Sequence, residues 1–134
     1  MSTLKTSNIQ DTSGGNNSTP EEISQGRAKA WINFDGTFAT SPFTLANGGI
    51  RSAFNVSSVT ENSAGNYTVT MTNALANANF CLVVGGNRYN PGNDNWTIHE
   101  DLNHTRTTTT FRIWNNQYTN TFDSGTMCVA VFGD

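Results

Sequence analysis

The sequence predicts an all-β fold: a small antiparallel β-sandwich of jelly-roll-like character over residues 27–134, behind an extended N-terminal arm over residues 1–26. Three observations lead there. Short runs with a two-residue hydrophobic period recur between turn clusters, at a spacing that suits a sandwich or barrel. Asn, Thr and Ser fill about a third of the chain, and Thr favours strands while Asn favours turns. The opening segment, MSTLKTSNIQDTSGGNNSTPEEISQG, holds only Leu4, Ile9 and Ile23 as large aliphatic side chains. A segment so polar does not recover its ordering entropy alone.

Within the arm, Leu4 and Ile9 stand as apolar pegs, the arrangement by which an extended segment adds itself to a partner's sheet edge. Thr19 before Pro20, Glu21, Glu22 and Ile23 carries helix-start chemistry: a hydroxyl cap, Pro in first position and acidic residues in the first turn. A short helix over 20–25 is expected, stopped by Gly26. AKAWINF then alternates, with Ala28, Ala30, Ile32 and Phe34 on one face and Lys29, Trp31 and Asn33 on the other. Asp35-Gly36 predicts a tight turn, with 37–39 returning as a second strand. Residues 41–49 read as a loop. The run 50–60 resumes a strand, and the step of three from Val56 to Val59 implies a bulge or change of face near Ser57-Ser58. The turn Ser63-Ala64-Gly65-Asn66 leads into 67–72, where Tyr67, Val69 and Met71 face inward and the Thr side chains outward.

Residues 73–79 are expected as a loop or a single helical turn. The apolar run 80–84 reads as a strand buried on both faces, followed by a long exposed loop over 85–95. Residues 96–100 and 105–114 alternate again. The second places Thr107, Thr109, Phe111 and Ile113 on one face and Arg106, Thr108, Thr110, Arg112 and Trp114 on the other. A polar connection over 115–125 leads to MCVAVF, apolar on both faces. That run is expected as a central strand, with a subunit interface as the alternative. Cys81 and Cys128 are expected as buried free thiols, with a disulfide between neighbouring strands as the other reading.

Composition removes several function classes. The net charge of -3 with scattered basic residues offers no stripe for nucleic acid. No apolar run approaches the length of a membrane span, and no charged and apolar leader pattern opens the chain. With its opening Met, the chain is expected to be made in the cytoplasm and used as made. Asp94, Glu100 and Asp101 are close in sequence, which does not set two carboxylates across a cleft. His99 and His104 match no ligand spacing, and the Gly-rich stretches lack the Lys-Ser/Thr of a phosphate loop. No enzymatic activity, cofactor or metal is therefore expected. The candidates for surface contact are Arg88, Tyr89, Asn90 and Asn93 in the loop GGNRYNPGNDN, together with Trp96, Trp114 and Tyr118. Their Arg and aromatic types are enriched at contact hot spots, and indole faces stack on pyranose rings. Trp31 reads as a core or interface aromatic.

Two strings carry a family resemblance. MSTLKTSNIQDTSGGNNSTPEEISQGRAKAWINFDGT, and then IRSAFNVSSVTENSAGNYTVTMTNALANANFCLVV, resemble short tail-fibre-type structural proteins of tailed bacteriophages, marine and cyanobacterial phages above all. In those, an opening similar to MSTLKVxxIQ-T-SGG-N-STPEE precedes RAKAWVNFNGT. A hairpin similar to FNVSSxTDNGTGDYTVNFT then leads into an A-PNANY segment. The likeness covers residues 1–84, and the stretch FATSPFTLANGG departs from it as an insertion. The resemblance implies a virion protein. It would dock on a tail or baseplate partner through its N-terminal segment, with Leu4, Ile9 and Ile23 as docking residues. It implies a C-terminal β domain assembled as a homotrimer, with distal loops turned to host-surface glycans. The alternatives are a capsid decoration or head fibre protein, or a free lectin-like carbohydrate-binding module.

Overall fold

A computed structural model describes residues 5–10, 12–14, 18–87, 97–117 and 120–133, with Gln117 described by its backbone only. Alternating side chains organise these residues into two antiparallel sheets around one core. β1 (Ala30–Phe34), β2 (Ile50–Phe54), β5 (Cys81–Gly86) and β9 (Met127–Phe132) form a four-stranded sheet in the order β2-β1-β9-β5. β3 (Val56–Ser63), β4 (Asn66–Met71), β6 (Thr97–Glu100) and β7 (Thr110–Gln117) form the second, in the order β3-β4-β7-β6, and β8 (Asn120–Thr121) pairs with the end of β7. The expected all-β, sandwich-like character is what the chain adopts.

One face of each sheet fills the core. Ala30, Ile32 and Phe34 of β1 and Met127, Val129 and Val131 of β9 point in from the first sheet. Val56 and Val59 of β3, Tyr67, Val69 and Met71 of β4, and Phe111 and Ile113 of β7 meet them from the second. Aromatic edges fix the centre: the Phe34 ring meets Tyr67 edge-on at 5.2 Å, and Phe43 lies 6.0 Å from Phe34. Fully burying each large side chain contributes about 1.5–3 kcal/mol.

The strand path departs from expectation where local polar chemistry outcompetes pairing. Residues 37–39 are not a strand. Asp35 Oδ1 accepts from the Thr37 backbone N–H at 3.0 Å and its hydroxyl at 2.7 Å, which turns the chain out of the sheet. β1 pairs instead with β2 and β9. The run 50–60 is two strands in two different sheets. Asn55, with φ at 54°, makes the crossing, and its side chain holds the Lys29 and Asn73 carbonyls and the Asn73 N–H. The expected bulge follows immediately, between Val56 and Ser58. The run 80–84 is not buried on both faces. β5 ends the four-stranded sheet, Phe80 and not the strand's own side chains is buried, and Cys81 and Val83 are exposed. β9 is the central strand expected, between β1 and β5.

The thiols are unpaired, as expected, but not buried: Cys81 is exposed and Cys128 half-buried. They lie on neighbouring strands, yet Cys81 pairs with Phe132 and Cys128 with Gly85, so register keeps them apart. Upstream, α1 (Pro20–Gly26) has its cap, the Thr19 hydroxyl accepting from the Glu22 N–H, and in return the Glu22 carboxylate accepts from the Thr19 N–H. This hydrogen bonding holds the Glu22 carboxyl below its ordinary range. Gly26 belongs to the helix, which ends as Arg27 turns extended. Ahead of it, Ile9 and Ser18 exchange two backbone bonds of 2.8 Å, so the polar segment doubles back there and is not extended throughout.

The sandwich is closed at one end through Asp123. Its Oδ1 accepts from the Gly65 N–H at 2.7 Å and from the Tyr67 hydroxyl at 2.5 Å. Gly65 turns the β3–β4 hairpin with φ at 71°, and a Cβ there would meet the Asn115 carbonyl at 2.4 Å. Burial, then the Asp123 carboxylate, pushes the Tyr67 phenol far above its ordinary pKa and keeps it a neutral donor. Tyr67→Phe leaves Asp123 short of a donor. It is expected to lower stability by about 1–3 kcal/mol in urea unfolding, with the fold retained by circular dichroism.

Candidate interaction surface

The outward positions of the four-stranded sheet are set by the same alternation that fills the core. Register carries them into straight rows across the strands. Phe54 of β2 lies opposite Trp31 of β1, Trp31 opposite Ala130 of β9, and Ala130 opposite Val83 of β5. These four side chains form one apolar row about 14 Å wide at ordinary strand spacing. Phe54 is 53%, Trp31 39% and Val83 56% exposed. The next row, Ser52, Asn33, Cys128 and Gly85, is neutral and small.

Two shallow depressions follow the row. One is lined by Arg27, Ala28, Lys29, Trp31 and Phe54. The other holds about 400 Å³ between Trp31, Asn33, Val83, Gly85, Cys128 and Ala130. Trp31 is shared by both. The second depression carries no charged side chain. Its lining is largely apolar, and it suits contact with another apolar surface.

The outer face of the other sheet is polar. Asp101, almost wholly buried, accepts from Asn66 Nδ2 at 3.0 Å and from the Asn103 N–H at 3.0 Å, with Arg112 3.8 Å away. Burial opposes ionisation of this carboxyl, but the amide bonds and Arg112 outweigh it and hold the pKa below the usual carboxylate range. Arg112 also donates to Thr68 at 3.0 Å. Glu61 goes the other way: burial, then the nearby Asp123 charge, raises its pKa.

Of the residues singled out from sequence, Leu4, Arg88, Tyr89, Asn90, Asn93, Trp96 and Tyr118 lie outside the described residues. Ile9 is exposed beside its bridge to Ser18, and Ile23 is half-buried in α1. Trp114 is half-buried on the polar face, 6.2 Å from His99, its strand partner. Trp31 and Trp114 therefore sit on opposite sheets and form no common platform. Among the described residues, no three His, Cys, Asp or Glu side chains gather as a metal site. Sequence reasoning missed Phe54, Val83 and Ala130 as surface residues. For Val83 and Ala130 the signal was present in the runs apolar on both faces, NFCLVV and MCVAVF, the first read as buried on both faces and the second as a central strand with a subunit interface as the alternative. No family model, curated protein or solved structure matches the chain.

Two outcomes are expected. Trp31→Ser, at an outward position, should change unfolding free energy by less than about 1 kcal/mol while reducing the fluorescence of a bound apolar dye. The Asp101 pKa is depressed in the folded chain. Its contribution is present above the ordinary Asp value of about 4 and is lost as pH falls through the native value. Asp101→Asn should flatten that acid limb in thermal melts between about pH 5 and 3.

Proposed function

We infer that this chain is a structural subunit of a tailed-phage virion, a short tail fibre that docks through its first 26 residues and presents the β-sandwich outward. The observation that supports this reading most is the likeness of residues 1–84 to phage tail-fibre-type proteins. The strings that carry the likeness coincide with whole structural units. STPEE supplies the Thr19 cap and opening of α1, RAKAWINF leads into and contains β1, and FNVSSVTENSAGNYTVTMT contains the β3–β4 hairpin. A sparsely charged body with an apolar sheet face, behind a polar segment, suits a part that works by lasting contacts. Host-surface glycan contact by the loop carrying Arg88 and Tyr89 belongs to the same proposal.

Gold-labelled antibody against the chain is expected to mark the tail of intact particles. Label on the head would replace the tail-fibre reading with a head fibre or decoration protein, and no label on particles would remove the virion reading. A chain lacking residues 1–25 is expected to be absent from purified particles. Its incorporation at full efficiency would contradict docking through that segment.

A further inference from the structure

We propose that β5 is a self-pairing edge: two copies of the chain join antiparallel through Cys81–Gly86 and continue the four-stranded sheet into one of eight strands. The proposal rests on strand edges and goes beyond the virion reading.

A sheet edge presents backbone donors and acceptors that another strand can take, and folded chains block edges with charge, bulges, brevity or cover. Among the described residues, the end strands β2, β3 and β6 are blocked in these ways. β2 carries Arg51, has an irregular register against Asn33 and Phe34, and gives its Ile50 N–H to the Thr44 carbonyl at 3.1 Å. β3 has two bulges, and Phe43 exchanges backbone bonds of 2.7 and 3.0 Å with Val59, while Ser41 accepts from the Glu61 N–H. β6 has four residues, two of them His99 and Glu100. β5, CLVVGG, has six residues, no charge, no Pro and an unbroken register with β9. Among the described residues no strand pairs with its other side, and the Arg106 guanidinium takes the Phe80 carbonyl just ahead of it.

The direction of the free groups follows from the ladder. The Asn87 N–H bonds to the Thr126 carbonyl at 2.9 Å, one step past the Gly86–Met127 pair. Bonded pairs alternate in an antiparallel ladder. Cys81, Val83 and Gly85 therefore aim their backbone groups at β9, and Leu82, Val84 and Gly86 aim theirs outward. A twofold axis at Val84 sets Val84 opposite its counterpart and Leu82 opposite Gly86 of the second copy, which uses all of these groups.

The same register is self-complementary in shape. It places the outward Val83 opposite Gly85 of the second copy, and the space above Gly85 is open, with nothing within 4 Å of a Cβ built there. The bulky half of each strand thus meets the glycine half of the other. The absence of charge removes self-repulsion, and also any handle for selecting a charged partner strand. The two apolar rows, each ending at Val83, finish side by side at the seam. This twofold arrangement differs from the threefold one that the family resemblance implies, so mass separates them.

The test uses the full chain under reducing conditions. Light scattering at about 50 µM is expected to give twice the 14.5 kDa mass. A monomer or trimer mass would overturn the proposal. Amide hydrogen exchange at Leu82, Val84 and Gly86 should slow by about tenfold or more on concentration, while Val83 and Gly85 stay unchanged. Concentration-independent exchange at the first three would also overturn it. Val83→Lys, which adds a blocking charge, should weaken association by about tenfold or more, and Ser52→Lys near the opposite edge should not. A dimer unaffected by Val83→Lys counts against the proposal, and if that variant misfolds, exchange in the natural chain decides.

Discussion

The two-residue alternation of the strands against a single shared core is the constraint on which the other features depend. Phe34, Tyr67, Phe111 and Val129 meet in one interior because each stands at the inward parity of its strand. A strand that slipped by one residue would exchange its whole inner and outer sets. The chain protects this parity where it changes sheets. Asn55 takes the turn in a backbone conformation that few side chains tolerate, and its amide ties the crossing to Lys29 and Asn73. At the other end Asp123 ties the β3–β4 turn to the segment before β9 through Gly65 and Tyr67.

Fixing the inner faces also fixes the outer ones, and the two outer faces are chemically unlike. Asp101, Asn66, Arg112 and Thr68 form a hydrogen-bonded polar patch on one sheet, the ordinary way to meet water. On the other sheet the row from Phe54 to Val83 exposes apolar surface, which costs free energy in water unless something covers it. Folding alone does not require that row, since the side chains filling the core come from the other parity. Its presence is better explained by contact with another surface than by stability of the isolated chain.

Much of the fold was legible in the sequence where alternation was strict. The inward sets of β1 and β4 can be read directly from AWINF and NYTVTM, and the helix cap from STPEE. The polar loops were harder, because Asp35 can turn the chain through its own side chain as readily as it can open a hairpin. Runs without alternation were hardest. CLVVGG and MCVAVF look alike in periodicity, yet one is an edge and the other a centre, a difference set by partners distant in sequence. The apolar row was not legible at all as a unit. Residues 31, 54, 83 and 130 share no spacing, and only register brings them together.

The central claim is that the outer row of the four-stranded sheet is covered in the working form of the protein. Hydroxyl-radical footprinting reads this directly, by comparing the isolated chain with the assembled one. Leu45 and Leu102, 56% and 92% exposed and outside the row, serve as internal references. The account holds if Trp31, Phe54 and Val83 lose reactivity on assembly while Leu45 and Leu102 keep theirs. Equal reactivity of all five in both forms would contradict it.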